Sequence, residues 1–290
     1  MGLITGLLWC WTASAMAQTN TQLPADEGYG DKPLPQVTVE AKRAAIQPLV
    51  RAFIDQTVVL KNAEGVPRWN SPVCPSVVGL PRAEGEYVLE RLSQVAHAAG
   101  IALGSETCKP PNLYIVVTDN PRLVLTEWAR KSHWEWFGGA RPDLIGRFID
   151  MPRPVRVWYN TRKMDSVDEH PGVDSEVGVA ALGAQDTRII KSVVWYFSSV
   201  MVVVDQTQLT GISRGQLGDY VSMVSLAELS TDRLGDVPTI LKLFSAPRDR
   251  APLKMGPWDE AFLDALYNTN QASLQQLQQM TLRMVRDLAP

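Results

Sequence analysis

Few side chains in this 290-residue chain have the chemistry to hold a metal or to make and break bonds. It has three histidines, His97, His133 and His170. His97 lies between Ala96 and Ala98 in what reads as a helix interior, where its plain role is that of an ordinary helix residue. His133 opens an aromatic cluster, His133-Trp134-Glu135-Trp136-Phe137, in an expected turn. That makes His133, Trp134 and Trp136 candidates for an exposed binding patch. His170 sits in Asp168-Glu169-His170-Pro171, whose simplest reading is a solvated charge run. The densest group is Gly218-Asp219-Tyr220-Val221-Ser222, near the start of an expected helix. Asp219, Tyr220 and Ser222 are the candidate catalytic residues. Each also has a structural reading. An Asp in the first turns gains about 0.3–1 kcal/mol from the helix dipole, and a tyrosine can simply pack with its hydroxyl satisfied.

Nothing in the sequence matches HExxH, a Walker loop, a GxGxxG after a strand, a GxSxG elbow or paired CxxC spacing. These absences weigh against a familiar hydrolase and leave no cofactor or metal ligand set to assign. The formal charge is −3 and the pI about 5.7, so the basic surplus of a general nucleic-acid binder is missing. With 45% hydrophobic and 20% charged residues, the composition is that of a globular chain.

The opening residues are uncharged, with an apolar run from Leu3 to Trp11 and then Ala15-Met16-Ala17. This predicts a signal peptide over 1–17, cleaved after Ala17, and export to the periplasm. A membrane span needs about 18 apolar residues or more, and this run is shorter. Cys10 falls inside the signal, and Trp9 before it is not the small residue that a lipoprotein site requires. Cys74 and Cys108 are left as an even pair in an oxidising compartment, which reads as one disulfide.

Residues 18–35 are polar and rich in Pro and Gly, so a disordered leader is expected there. Residues 36–290 read as a single domain. Gln36 to Glu40 has the look of a short strand, and residues 36–41 resemble the segment by which TonB-dependent receptors pair with their transducer. Helices are expected over 43–57, 84–99 (stopped by Gly100), 121–131 and 141–150. Strands are expected at 113–117, 155–159, 189–197 and 200–204. Asn160 to Asp186 turns polar and acidic and reads as a loop or flap. Beyond Thr210 the chain reads as helical. A capping box at Ser213–Gln216 opens a helix through Glu228, followed by 238–244, 258–267 and a seam of Leu274, Leu277, Thr281, Met284 and Leu288. The expected fold is α+β, a small mixed sheet with packed helices and a helical C-terminal third.

Three stretches carry a resemblance: Cys108-Lys109-Pro110-Pro111-Asn112-Leu113, Asp219-Tyr220-Val221 with Met223, and Trp258-Asp259 with Leu263 and Leu266-Tyr267. Together, from about residue 36 onward, they resemble a group of exported proteobacterial proteins of unknown function. More distantly the layout is similar to zincin-like domains. On that pattern the metal-site helix would put its first His at Gly218, its Glu at Asp219 and its second His at Ser222. Glycine offers no ligand atom and serine is a poor zinc ligand, so the resemblance implies a degenerate, metal-free site.

The functional expectation is therefore an exported, non-catalytic domain that binds an envelope protein or ligand. The alternatives are a hydrolase of envelope material with Asp219 and Tyr220 in its cleft, and a TonB-linked accessory protein using residues 36–41.

Overall fold

The most apolar runs of the sequence become the middle of a four-stranded sheet. A computed structural model describes residues 39–60, 65–105, 107–165, 193–232, 234–269 and 275–290. The expected signal peptide, the leader and His170 lie outside these residues. Strands β1 (Pro75–Val78), β2 (Leu113–Thr118), β3 (Val155–Asp165) and β4 (Val193–Asp205) run in the order β1-β2-β4-β3. The first two and β4 are parallel, and β3 closes one edge antiparallel to β4. Both central strands are covered on two faces, which is why they read as continuous apolar runs rather than alternating ones.

Along β4 the alternation sorts two cores. Val200, Val202 and Val204 enter the larger one, and Met201 and Val203 enter a smaller one on the opposite face. The two expected runs at 189–197 and 200–204 are one strand from Val193 onward, and residues 189–192 lie outside the described set. Ser198 is an extra residue in it: the pairing passes from Asn160 with Ser199 to Thr161 with Phe197, a β-bulge. The polar stretch expected as a loop from Asn160 continues β3 to Asp165. There, pairing with β4 satisfies a backbone whose side chains gave no strand signal; residues 166–192 lie outside the described set.

The larger core is built by α1 (Val39–Thr57), α2 (Arg82–Ala98), α6 (Arg214–Leu226), α7 (Pro257–Tyr267) and α8 (Gln276–Leu288). The smaller uses α3 (Pro121–Lys131), α4 (His133–Phe137) and α5 (Pro142–Ile149). This is an α+β fold, a mixed sheet between helices, and its last third is helical. Two expectations need correction. Val39 and Glu40 open α1 instead of belonging to a strand, because Ala41, Ala44 and Ala45 are strong helix formers that carry the helix back; Gln36 to Thr38 lie outside the described residues. The aromatic cluster is not a turn but the short helix α4, tied by the Trp136 N–H to the Ser132 carbonyl at 3.1 Å.

Local signals place several ends. At the end of α2, Gly100 has φ +74° and donates to the His97 carbonyl, while the Ile101 N–H reaches the Ala96 carbonyl. This is a Schellman motif, which needs a residue at ease in the left-handed region. The capping box of α6 is formed: Ser213 Oγ accepts from the Gln216 N–H at 3.2 Å, and Gln216 Oε1 accepts from the Ser213 N–H at 2.9 Å. Cys74 and Cys108 are bonded, with their Cα atoms 5.9 Å apart. Asn112 seats this staple on β2, its amide oxygen accepting the Cys74 N–H at 2.7 Å and its amide nitrogen donating to the Pro72 carbonyl at 3.0 Å.

From Gln216 to Leu226 every residue of α6 is buried. A helix end out of water leaves carbonyls to be satisfied by side chains. Tyr159 Oη shares its one proton between the Val224 and Ala227 carbonyls, at 2.7 and 3.0 Å. Trp69 Nε1 donates to the Ser225 carbonyl at 2.9 Å, and Tyr267 Oη to the Leu226 carbonyl at 2.6 Å. The helix stops at Leu226, short of the expected Glu228, where these donors meet it.

Tyr159→Phe should lower stability by about 1–3 kcal/mol, since it strands buried carbonyls while keeping the ring. Urea titration checks this, and an unchanged midpoint would mean that the helix end is satisfied in another way. Reducing the disulfide should cost on the order of 4 kcal/mol for the 34-residue separation it closes. The same titration with and without reductant measures that loss.

Candidate functional site

The N-terminal half of α6 faces α2 across two small residues, Gly215 and Gly218. A Cβ on Gly218 would lie 3.3 Å from Cβ and Cγ of Arg91, and one on Gly215 would lie 3.4 Å from the Tyr87 hydroxyl. Glycine lets the Arg91 stem lie flat on α6, so that its guanidinium reaches Asp219 one residue along. The Asp219 side chain is 3% exposed and that of Arg91 28%. Arg91 Nε donates to Asp219 Oδ1, Arg91 Nη1 donates to Gln94 Oε1 at 3.2 Å, and the Met255 N–H donates to Asp219 Oδ2 at 2.6 Å. One carboxylate thus ties α2, α6 and the entry to α7 together. It also aims an arginine whose Nη2 has no partner among the described residues.

Arg91 lines two neighbouring hollows. One, of about 450 Å³, is polar and is lined by Tyr87, Asp219, Leu253 and Lys254. The other, of about 360 Å³, lies between α2 and α7, with Val95, Ala99, Ala261 and Leu263 on its apolar part and Asp264 and Asp287 also in its lining. Arg91, Gln94, Met255 and Glu260 line both. Neither Lys254 nor Glu260 makes a side-chain hydrogen bond or ion pair among the described residues, and both are exposed.

The wall of the cleft is pinned by two further carboxylates. Asp259, fully buried, accepts from the Thr239 hydroxyl at 2.5 Å and from the Ile240 and Gly256 N–H groups at 3.0 Å each. Burial pushes its carboxyl up against the pull of these donors, and the nearby charge of Asp219 adds to the rise. Trp258 and Asp259 lie in the first turn of α7, both buried. Asp264 takes two hydrogen bonds from Arg283 of α8 and one from the Asn268 amide at 2.8 Å. Burial would raise its carboxyl, but the hydrogen bonds and charge of Arg283 hold it below the usual aspartate range.

The sequence-derived candidates do not converge. Of Asp219, Tyr220 and Ser222, only Asp219 lines the cleft. Tyr220 is buried edge-on against Phe244 with ring centroids 4.9 Å apart, and burial pushes its hydroxyl up to about 12. Ser222 Oγ donates to the Gly218 carbonyl at 2.7 Å, inside its own helix. The helical repeat fans neighbouring residues to different sides, so adjacency in sequence did not become adjacency in a site. Trp136 is half-buried between Trp128, stacked at 4.5 Å, and Tyr114, edge-on at 4.8 Å. His133 and Trp134 contribute backbone to α4, and their side chains fall outside the described set. His97 is exposed on α2. Among the described residues, no three His, Cys, Asp or Glu side chains gather as a metal site.

Arg91, Gln94, Lys254 and Glu260 were not singled out from the sequence. The only signal for Arg91 was its place beside the buried stripe of α2, and that is shared by any flank residue. The chain has no significant match among protein-family models, curated proteins or solved structures.

Asp219→Asn should destabilise the fold by about 2 kcal/mol, less than for a wholly buried pair because Arg91 keeps some water. Thermal unfolding checks the loss, and no change would mean that the pair does not order the cleft. The Asp264–Arg283 pair has a pH signature. Its carboxyl titrates lower in the folded chain, so its stabilisation is complete above the ordinary aspartate value of about 3.9 and fades as pH falls through the depressed one. Arg283→Met should therefore cost about 1 kcal/mol at neutral pH and progressively less toward about pH 2. Melting curves across pH measure both limbs.

Proposed function

We propose that this protein is an exported, non-catalytic binding domain whose ligand site is the cleft between α2 and α7. One observation carries the reading: Arg91 is oriented by a buried carboxylate and presents unused N–H capacity to a cavity with an apolar wall. That is how a binding site is built, with a few fixed polar groups on an otherwise apolar surface. Asp219, the best candidate for a general base, is already committed to Arg91 and to the Met255 N–H. The hydrolase alternative also draws no support from Tyr220, which lines neither hollow.

Export is part of the proposal, with cleavage after Ala17 and a periplasmic destination. The Cys74–Cys108 bond supports it, because such staples persist in oxidising compartments. Among the described residues no helix is long and apolar enough to cross a membrane. The degenerate zincin-like reading fits with the roles of Gly218 and Ser222, which are packing and an intrahelical bond. For the TonB-linked reading, Val39 and Glu40 are helical and offer no extended edge to pair with.

The mature chain, recovered from the periplasm without a histidine tag, should begin at Gln18 and carry no stoichiometric zinc. Native mass spectrometry should then show a small-molecule adduct that an Arg91→Met/Asp219→Asn double variant does not retain. About one zinc per chain, lost with stability on chelation, would overturn the metal-free reading. Turnover of envelope material that is lost in Tyr220→Phe would replace binding with hydrolysis.

A further inference from the structure

We infer that the protein carries a second binding site, for a neutral sugar, in the polar hollow between the end of α4 and the bulged stretch of β3 and β4. The site does not depend on the cleft between α2 and α7. Its volume of about 540 Å³ falls within the span of roughly 300–1,000 Å³ usual for small-molecule sites.

Asn160 is the scaffold of this hollow. Its amide nitrogen donates to the Trp136 carbonyl at 3.0 Å and to Ser199 Oγ at 2.9 Å, and its amide oxygen accepts from Trp158 Nε1 at 3.0 Å. One side chain thus ties α4, β3 and β4 together. Gly138 makes room for it: φ there is +57°, and a Cβ would stand 2.8 Å from Asn160 Oδ1. At the bulge the Ser198 hydroxyl donates to the Asn160 carbonyl at 3.1 Å. Such irregularities re-aim side chains that a regular ladder would place elsewhere.

What stays open is hydrogen-bonding capacity of both kinds. Ser199 accepts from Asn160, so its own proton is left to donate. The Thr161 hydroxyl, the Arg162 guanidinium and the Glu135 carboxylate have no hydrogen-bond or ion-pair partner among the described residues. Arg162 and Glu135 are the only charged residues in the lining, and their charges cancel. The sum therefore favours no ion of either sign. A sugar hydroxyl both donates and accepts, so a ring of them can use serine, threonine, guanidinium and carboxylate together. Phe137, Ala140 and Trp158 supply an apolar wall for the C–H face of a pyranose. Glu135 is the one carboxylate in the lining, whereas glycoside hydrolysis ordinarily uses two, so the site is built to bind and not to cleave.

Amide-shift titration by NMR, on the chain recovered from the periplasm, tests this with glucose, N-acetylglucosamine, its β-linked trimer, glucosamine, glucuronate and serine. Neutral sugars should shift the amides of Gly138 and Thr161, with a Kd of about 1 mM or tighter. A trimer that binds more tightly than the monomer identifies a glycan chain as the source, and equal binding identifies a free sugar; both support the site. Thr161→Val should weaken binding by roughly 2- to 10-fold, the loss of one neutral hydrogen bond. Arg162→Met and Glu135→Gln should each weaken it by about 10-fold. Both alter exposed, unpartnered side chains and should leave the melting temperature unchanged. The Arg91→Met/Asp219→Asn variant should keep its sugar affinity. No shift at Gly138 with any neutral sugar up to about 10 mM, a range that still detects very weak complexes, would overturn the inference. Tighter binding of serine, or of either charged sugar by more than about 10-fold, would end the neutral assignment. Sugar binding lost in the Arg91→Met/Asp219→Asn variant and kept in Arg162→Met would move the ligand to the cleft, overturning this site while supporting the binding reading above.

Discussion

The fold depends on one helix that is shut off from water over all but its first two residues. From Gln216 to Leu226, α6 is enclosed on every side, so its last carbonyls must find donors within the protein. Tyr159 comes from the edge strand β3, Trp69 from the segment before the disulfide, and Tyr267 from the end of α7. A fourth link closes the group, the Trp69 N–H donating to the Tyr267 hydroxyl at 3.2 Å. Burial pushes the Tyr159 and Tyr267 hydroxyls well above the ordinary tyrosine value, which favours their protonated, donating form. These contacts fix the position of sheet, loop and C-terminal helices against a single reference.

The same helix sets the cleft at its other half. Gly215 and Gly218 bring α2 close, Asp219 clamps Arg91 and the Met255 backbone, and Asp259 fastens the start of α7 to residues 239–240. The guanidinium that faces the cavity is therefore supported by buried groups on three elements. The α7–α8 wall is fixed separately by Asp264 and Arg283, so the two walls of the groove are anchored by independent ion pairs.

The opposite face of the sheet has a smaller role. Phe137, Phe148 and Trp158 meet edge-on with centroids between 5.1 and 6.3 Å apart, and the Trp128–Trp136 stack lies beside them. The aromatic cluster conspicuous in the sequence thus contributes Phe137 and Trp136 to a second core that braces β4. The bulge at Ser198 sits at this end, where the Ser198 hydroxyl donates to the Asn160 carbonyl at 3.1 Å and the Asn160 amide donates to Ser199 at 2.9 Å.

What the sequence determined by itself was local. The Ser213–Gln216 box, the glycine stop at Gly100, the stripe of Val88, Leu92 and Val95, and the apolar strand at Leu113 follow from residues a few positions apart, whose geometry the backbone period dictates. The Cys74–Cys108 pairing was legible too, on the expectation that Cys10 belongs to a signal peptide. Tertiary structure alone decided that the polar residues after Asn160 extend a strand and that α6 is buried from Gln216 onward. It also decided the site. Arg91 and Asp219 stand 128 residues apart in sequence, and Lys254 and Glu260 look like ordinary surface charges. No local period relates such residues. They meet because glycines on one helix allow another to approach, and that close approach exists only once the whole core has packed.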